Sequence, residues 1–144
     1  MIEQDTLRLL RECDAGVRMG VASIDDVLPY VKSEDLRARL NRSRERHERL
    51  QSEIEQALTR FGEDGKAPNA FARGMSMVKT KMEITVSPSD ATIASLMTDG
   101  CGMGVKSLNK YLNEYEAADE SAKDVAKKLI QLEKQLIDEI RDFL

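Results

Sequence analysis

Met19-Gly20-Val21-Ala22-Ser23-Ile24 and Met103-Gly104-Val105-Lys106-Ser107-Leu108 are two copies of one pattern. Each is followed by a leucine, Leu28 or Leu112, then by a polar turn and a second amphipathic stretch. Self-similarity of this kind marks a duplicated supersecondary unit. With a small insertion in the second turn, Leu50, Ile54 and Leu58 align with Leu136, Ile140 and Leu144, and His47 falls on Glu133. The chain therefore reads as a hairpin (1–62), a crossover (63–89) and a second hairpin (90–144). Neither hairpin can bury its apolar stripe alone, and packing one on the other through an approximate two-fold buries both. An up-down bundle, or hairpins exchanged between two chains, are the competing arrangements.

Working outward, four stretches carry the three-four spacing of a helical face. Leu7, Leu10, Asp14, Val17, Val21, Ile24, Leu28 and Val31 form the first, apolar except at Asp14, with Pro29 expected to end or kink it. Leu36, Leu40, Ser43, His47, Leu50, Ile54, Ala57 and Phe61 form the second, with Ser33 as N-cap and Gly62 as terminator. The turn between them is short, so these two helices are antiparallel neighbours. The third is expected over 90–117, with Ala94, Cys101, Val105, Leu108, Leu112 and Tyr115 inward. The fourth is expected over 121–144, capped by Asp119, with Ala122, Val125, Leu129, Leu132, Leu136, Ile140 and Phe143 inward.

The crossover opens with a turn-rich run, Gly62 to Pro68. From Asn69 to about Thr85 it reads as a short helix with Phe71, Met75, Val78 and Met82 on one side. A helix of about 16 residues is about 24 Å long, enough with its loops to run the length of a bundle.

Composition narrows the functional classes. Charged residues make up 33% and the net charge is −4, so nothing global attracts nucleic acid or an anionic membrane. The acidic start Met1-Ile2-Glu3-Gln4-Asp5 has no apolar signal core, and no apolar run reaches the length of a membrane span, which together predict a cytoplasmic protein. Cys13 and Cys101 lack metal or redox spacing and read as buried free thiols. No Ser/His/Asp or Cys/His nucleophile set is visible, which leaves no basis for hydrolytic or thiol catalysis.

Three segments, Leu10-Arg11-Glu12-Cys13-Asp14-Ala15-Gly16, Thr98-Asp99-Gly100-Cys101-Gly102-Met103-Gly104 and Lys110-Tyr111-Leu112-Asn113-Glu114-Tyr115, resemble the ferritin-like superfamily. More closely, they are similar to small bacterial ferritin-like proteins of anaerobic Firmicutes. The resemblance covers nearly the whole chain and implies an all-α, ferritin-like four-helix bundle; it carries no activity of its own. Di-iron members of that superfamily take one Glu from each of two helices and a Glu-x-x-His pair from each of the other two. Here the second helix offers Arg44-Glu45-Arg46-His47, with Arg44 in place of the Glu. The fourth offers Glu133-Lys134-Gln135-Leu136, with Leu136 in place of the His. What survives is Asp14, His47, Asp99 and Glu133.

Three readings of that set stand side by side. His47 is a hydrogen-bonded core residue with Asp14 as its carboxylate partner, a buried polar pair fixing register. Or the four residues hold a partial metal site for Fe, Mn or Zn. Or they fall at the bundle rim by chance. Arg39, Arg42, Arg46 and Arg49 line up on helix two but are interleaved with acids, and read as a solvated face. Gly100, Gly102 and Gly104 read as a tight helix–helix approach, with a local irregularity of the helix as the alternative. Met75, Met77, Met82, Met97 and Met103 read as gap-filling core. The expectation is a non-catalytic bundle that associates with other protein, most simply as a homodimer through the Met-rich crossover and Phe71, with metal binding as the alternative.

Overall fold

The computed structural model describes residues 2–61 and 88–144, and these are almost entirely helical, with no strand among them. Four helices follow in order: α1 (Ile2–Val27), α2 (Glu34–Arg60), α3 (Asp90–Glu114) and α4 (Glu120–Ile140). Single 3-10 turns at Leu28–Tyr30 and Arg141–Phe143 close α1 and α4. The expected helix near 69–85, most of the crossover, Phe71 and three of the crossover methionines lie outside the described residues.

Local chemistry sets the helix ends. Pro29 lacks a backbone donor and falls in the 3-10 turn where α1 stops. Ser33 caps α2 by accepting from the Leu36 amide at 3.2 Å, and Asp119 caps α4 by accepting from Ala122 at 2.8 Å. Ser89 does the same for α3 through Thr92.

Polar clamps at the two ends determine the directions. The Asp90 carboxylate accepts from the Lys32 and Ser33 amides at 2.9 and 3.0 Å, which places the start of α3 beside the α1–α2 turn. At the other end, Thr6 Oγ1 accepts from the Asp119 amide at 2.8 Å and Asp5 from Ala117 at 3.2 Å. The α3–α4 turn therefore sits beside the start of α1. Helices α1 and α4 run one way, α2 and α3 the other. Chain direction at Arg60 and at Asp90 is the same, and the two residues lie at opposite ends of the bundle.

Helices α1 and α4 form the central pair, each packed along the other three. A single stripe does not cover that many neighbours, so α1 buries more than the spacing suggested: Leu9, Cys13, Ala15 and Val27 join Leu10, Asp14, Val17 and Ile24, while Leu7 and Val21 of the expected face are only partly buried. On α2 the expected face holds through Ile54, after which Leu58 is the buried residue and Phe61, at the helix end, is 40% exposed. Helix α3 ends at Glu114 instead of 117, and α4 gives way to its 3-10 turn after Ile140. No described helix is long and apolar enough to cross a membrane.

The apolar core falls into two clusters. One gathers Leu9, Leu10, Cys13 and Val17 with Leu50, Ile54, Leu108 and Leu129. The other gathers Ile24 and Val27 with Leu36, Leu40, Ile93, Cys101, Leu136 and Ile140. In the gap between them each helix supplies a residue that is not apolar bulk: Gly20, His47, Gly104 and Glu133.

Candidate functional site

Among the described residues, that gap is the one place where ionisable groups from opposite hairpins meet in the interior. His47 reaches it from the middle of α2 and Glu133 from the middle of α4, because both stand on the core-facing stripe of their helix. His47 is 1% exposed and Glu133 8%. Their side chains are joined directly, Nε2 to Oε1, at 3.0 Å.

The other ring nitrogen settles where the protons sit. His47 Nδ1 lies 2.7 Å from the Ser43 carbonyl oxygen, with the Ser43 hydroxyl at 3.4 Å. A carbonyl only accepts, so Nδ1 carries the hydrogen and donates it. The Nε2–Oε1 contact then needs one further proton, as an imidazolium facing a carboxylate or an imidazole facing a carboxylic acid. Burial opposes charging the imidazole, but the Glu133 carboxylate and the Ser43 carbonyl outweigh it and raise its pKa above the ordinary value.

A pH dependence follows. A histidine whose folded-state pKa is raised contributes stability that is complete below about 6.5, the unfolded value, and is lost as pH rises through the folded value. Urea unfolding is expected to show falling stability from pH 6 to 9, and His47→Gln is expected to flatten that fall. A slope unchanged by the substitution would show that other groups set it.

The glycines of the repeat face this pair. A Cβ on Gly20 would stand 2.8 Å from His47 Cδ2 and 2.9 Å from Nε2, closer than real contacts allow. A Cβ on Gly104 would meet Glu133 at 3.5 Å, an ordinary contact. Close approach thus explains Gly20 and accommodates Gly104, whereas a Cβ on Gly100 or Gly102 meets no described atom within 4 Å. The expected tight packing is found at none of the three α3 glycines; the close approach is at Gly20 on α1.

The Cys101 thiol also faces Glu133; burial first, then that carboxylate, push its pKa far up. Burial with Glu12 and Asp14 nearby raises Cys13 to about 12. Both thiols are held protonated, which removes the thiolate a nucleophile or soft-metal ligand needs.

The four residues singled out from the sequence do not converge. His47 and Glu133 do. Asp14 is buried but turned to its own helix, where Arg18 Nε bonds both carboxylate oxygens at 3.1 Å and reaches on to Glu55 at 2.8 Å. Burial raises the Asp14 pKa, against the pull of Arg18. The expected partnership of Asp14 with His47 is therefore corrected: the partner is Glu133, across the hairpin interface. Asp99 is at the surface. Among the described residues no three His, Cys, Asp or Glu side chains are grouped closely enough to share a metal. Arg44 pairs with Asp25 and Glu48, and Leu136 is apolar core. Of the arginine row, Arg39 bonds Asp35 and the Glu139 carbonyl, Arg46 bonds Glu139, and Arg49 faces Glu45. These are the pairings of a solvated face.

The sequence reading passed over three contributors. Gly20 and Gly104 were visible in the repeat but not as neighbours of the pair, and the Ser43 carbonyl is backbone, which no side-chain pattern reveals. No family model, no curated protein and no solved structure matches the chain.

Proposed function

We propose that this chain is a ferritin-like bundle with a closed centre, acting as a non-catalytic module for protein association, in its simplest form a homodimer. The observation that carries this is the His47–Glu133 bond. Where the two core clusters are parted, these two side chains satisfy each other, whereas a ferritin-like di-iron protein collects carboxylates from all four helices. Gly20 of α1 and Gly104 of α3 face them with no side-chain donor, and the Cys101 thiol of α3 beside Glu133 is held protonated. Asp14 is spent on Arg18 and Asp99 points away from the interior, so the donor set does not fit two metal ions. The direction of the helices, α1 and α4 against α2 and α3, agrees with a long crossover between two hairpins, the connectivity of ferritin-like folds. Met103, expected as gap-filling core, is instead 62% exposed on α3, an apolar side chain at the surface that favours the association reading.

Two measurements test it. Light scattering behind size exclusion is expected to show a dimer at high concentration; a strict monomer there removes the association reading. Elemental analysis of protein purified without a histidine tag is expected to find no stoichiometric Fe, Mn or Zn, and none of the three is expected to raise the melting temperature. A bound equivalent of any of them would sink the closed-centre reading.

A further inference from the structure

Residues 100–104 read Gly-Cys-Gly-Met-Gly in the interior of α3, which stays helical from Asp90 to Glu114. Glycine is a poor residue for a helix interior because it exposes and loosens the backbone. Of the three, only Gly104 has a described neighbour near a Cβ, Glu133 at ordinary contact distance, and no described atom approaches where a Cβ on Gly100 or Gly102 would stand. Nor do the three form one packing stripe: at about 100° per residue, Gly100 and Gly104 share a face and Gly102 lies nearly opposite. What they share is a level along the axis. They lie where the two core clusters are parted by the polar layer.

The two halves of α3 on either side belong to different clusters. Ile93, Ala94, Met97 and Cys101 pack in one, Leu108 in the other. The first half is built like a lever. Its apolar face rests on the bundle, and its tip is held by the Asp90 carboxylate on the Lys32 and Ser33 amides.

We propose that α3 is hinged at residues 100–104 and that residues 90–99 lift from the bundle as a unit when the Asp90 clamp opens. Lifting exposes the Cys101 thiol and the face of Ile93, Ala94 and Met97, while the cluster around Cys13 stays closed. The weak link is local backbone, and the apolar contacts that must part are those of one half-core only.

The two buried thiols allow the test in the intact chain. Iodoacetamide is added to the native protein at neutral pH, and alkylation of Cys101 and Cys13 is followed by peptide mass spectrometry, each rate normalised to the denatured chain. Cys101 is expected to react faster than Cys13. Gly100→Ala with Gly102→Ala, both into open space, is expected to slow Cys101 at least about fivefold relative to Cys13, since each removes a helix-weakening glycine. Asp90→Ala, or Asp90→Asn should the alanine variant fold poorly, is expected to speed Cys101 and leave Cys13 unchanged. Equal normalised rates at the two thiols, or a glycine variant that slows both in the same proportion, would mean that the chain opens only as a whole and would overturn the hinge.

Discussion

Replacing Glu133 by leucine, with His47 left in place, is expected to cost the fold about 3 kcal/mol, where the range for stripping one partner from a buried ion pair meets that for orphaning a buried polar atom. His47 Nδ1 keeps its bond to the Ser43 carbonyl, so the ring cannot turn to find another partner without losing that bond. Its Nε2 is left with no acceptor, deep in the interior. The imidazole deprotonates sooner than stay charged there, which is why the cost stops short of a stranded ion. His47→Leu alone leaves the Glu133 carboxylate, with its small remaining exposure, to protonate or draw in water, and is expected to cost somewhat less.

The double variant, His47→Leu with Glu133→Leu, behaves differently. Two apolar side chains in the same space join the clusters that the polar layer separates, and Gly20 and Gly104 leave room for branching. Such replacements are commonly neutral or stabilising. The double variant is expected to match or exceed the wild type in urea midpoint, giving in a double-mutant cycle a coupling energy at least as large as the two single losses added together. If the two losses simply add, the pair is not acting as a unit.

Gly20→Ala and Gly104→Ala are expected to change stability in opposite directions, although the two glycines are matched in the repeat. The Gly20 Cβ would press on ring atoms of an imidazole pinned by bonds at both nitrogens, so neither side can yield cheaply. Overpacking of this kind costs about 1–3 kcal/mol, against a gain of about 1 kcal/mol in helix propensity. With the Glu133 bond also stretched, Gly20→Ala is expected to lose about 2 kcal/mol. The Gly104 Cβ meets only the side chain of Glu133 at ordinary distance. The propensity gain then stands, and Gly104→Ala is expected to be neutral or up to about 1 kcal/mol more stable. Chemical denaturation of the two variants decides it; the same sign at both positions contradicts the observed asymmetry.

That asymmetry marks where sequence reasoning stops. The two similar Met-Gly-Val segments align Gly20 with Gly104, and the helices that follow them align His47 with Glu133, because matched patterns share position along the chain. That alignment could not say which glycine stands under the ring, since that depends on how far each helix is rotated about its axis. Asp14 shows the same boundary from the other side. Its place on the α1 face correctly implied burial, yet its partner turned out to be Arg18, one turn along the same helix, a contact available to any Asp–Arg pair at that spacing.

The sequence by itself determined four amphipathic helices, their caps at Ser33 and Asp119, the break at Pro29 and the burial of His47. All of these rest on interactions within a few residues, or on a periodicity that any neighbour would satisfy. Only the tertiary structure decided that α1 and α4 form the central pair and that the core is cut in two by a polar layer. Only it decided that Glu133 and not Asp14 holds His47. Those outcomes depend on the relative rotation and depth of helices from different hairpins, which packing sets through the whole interface at once and no single segment encodes.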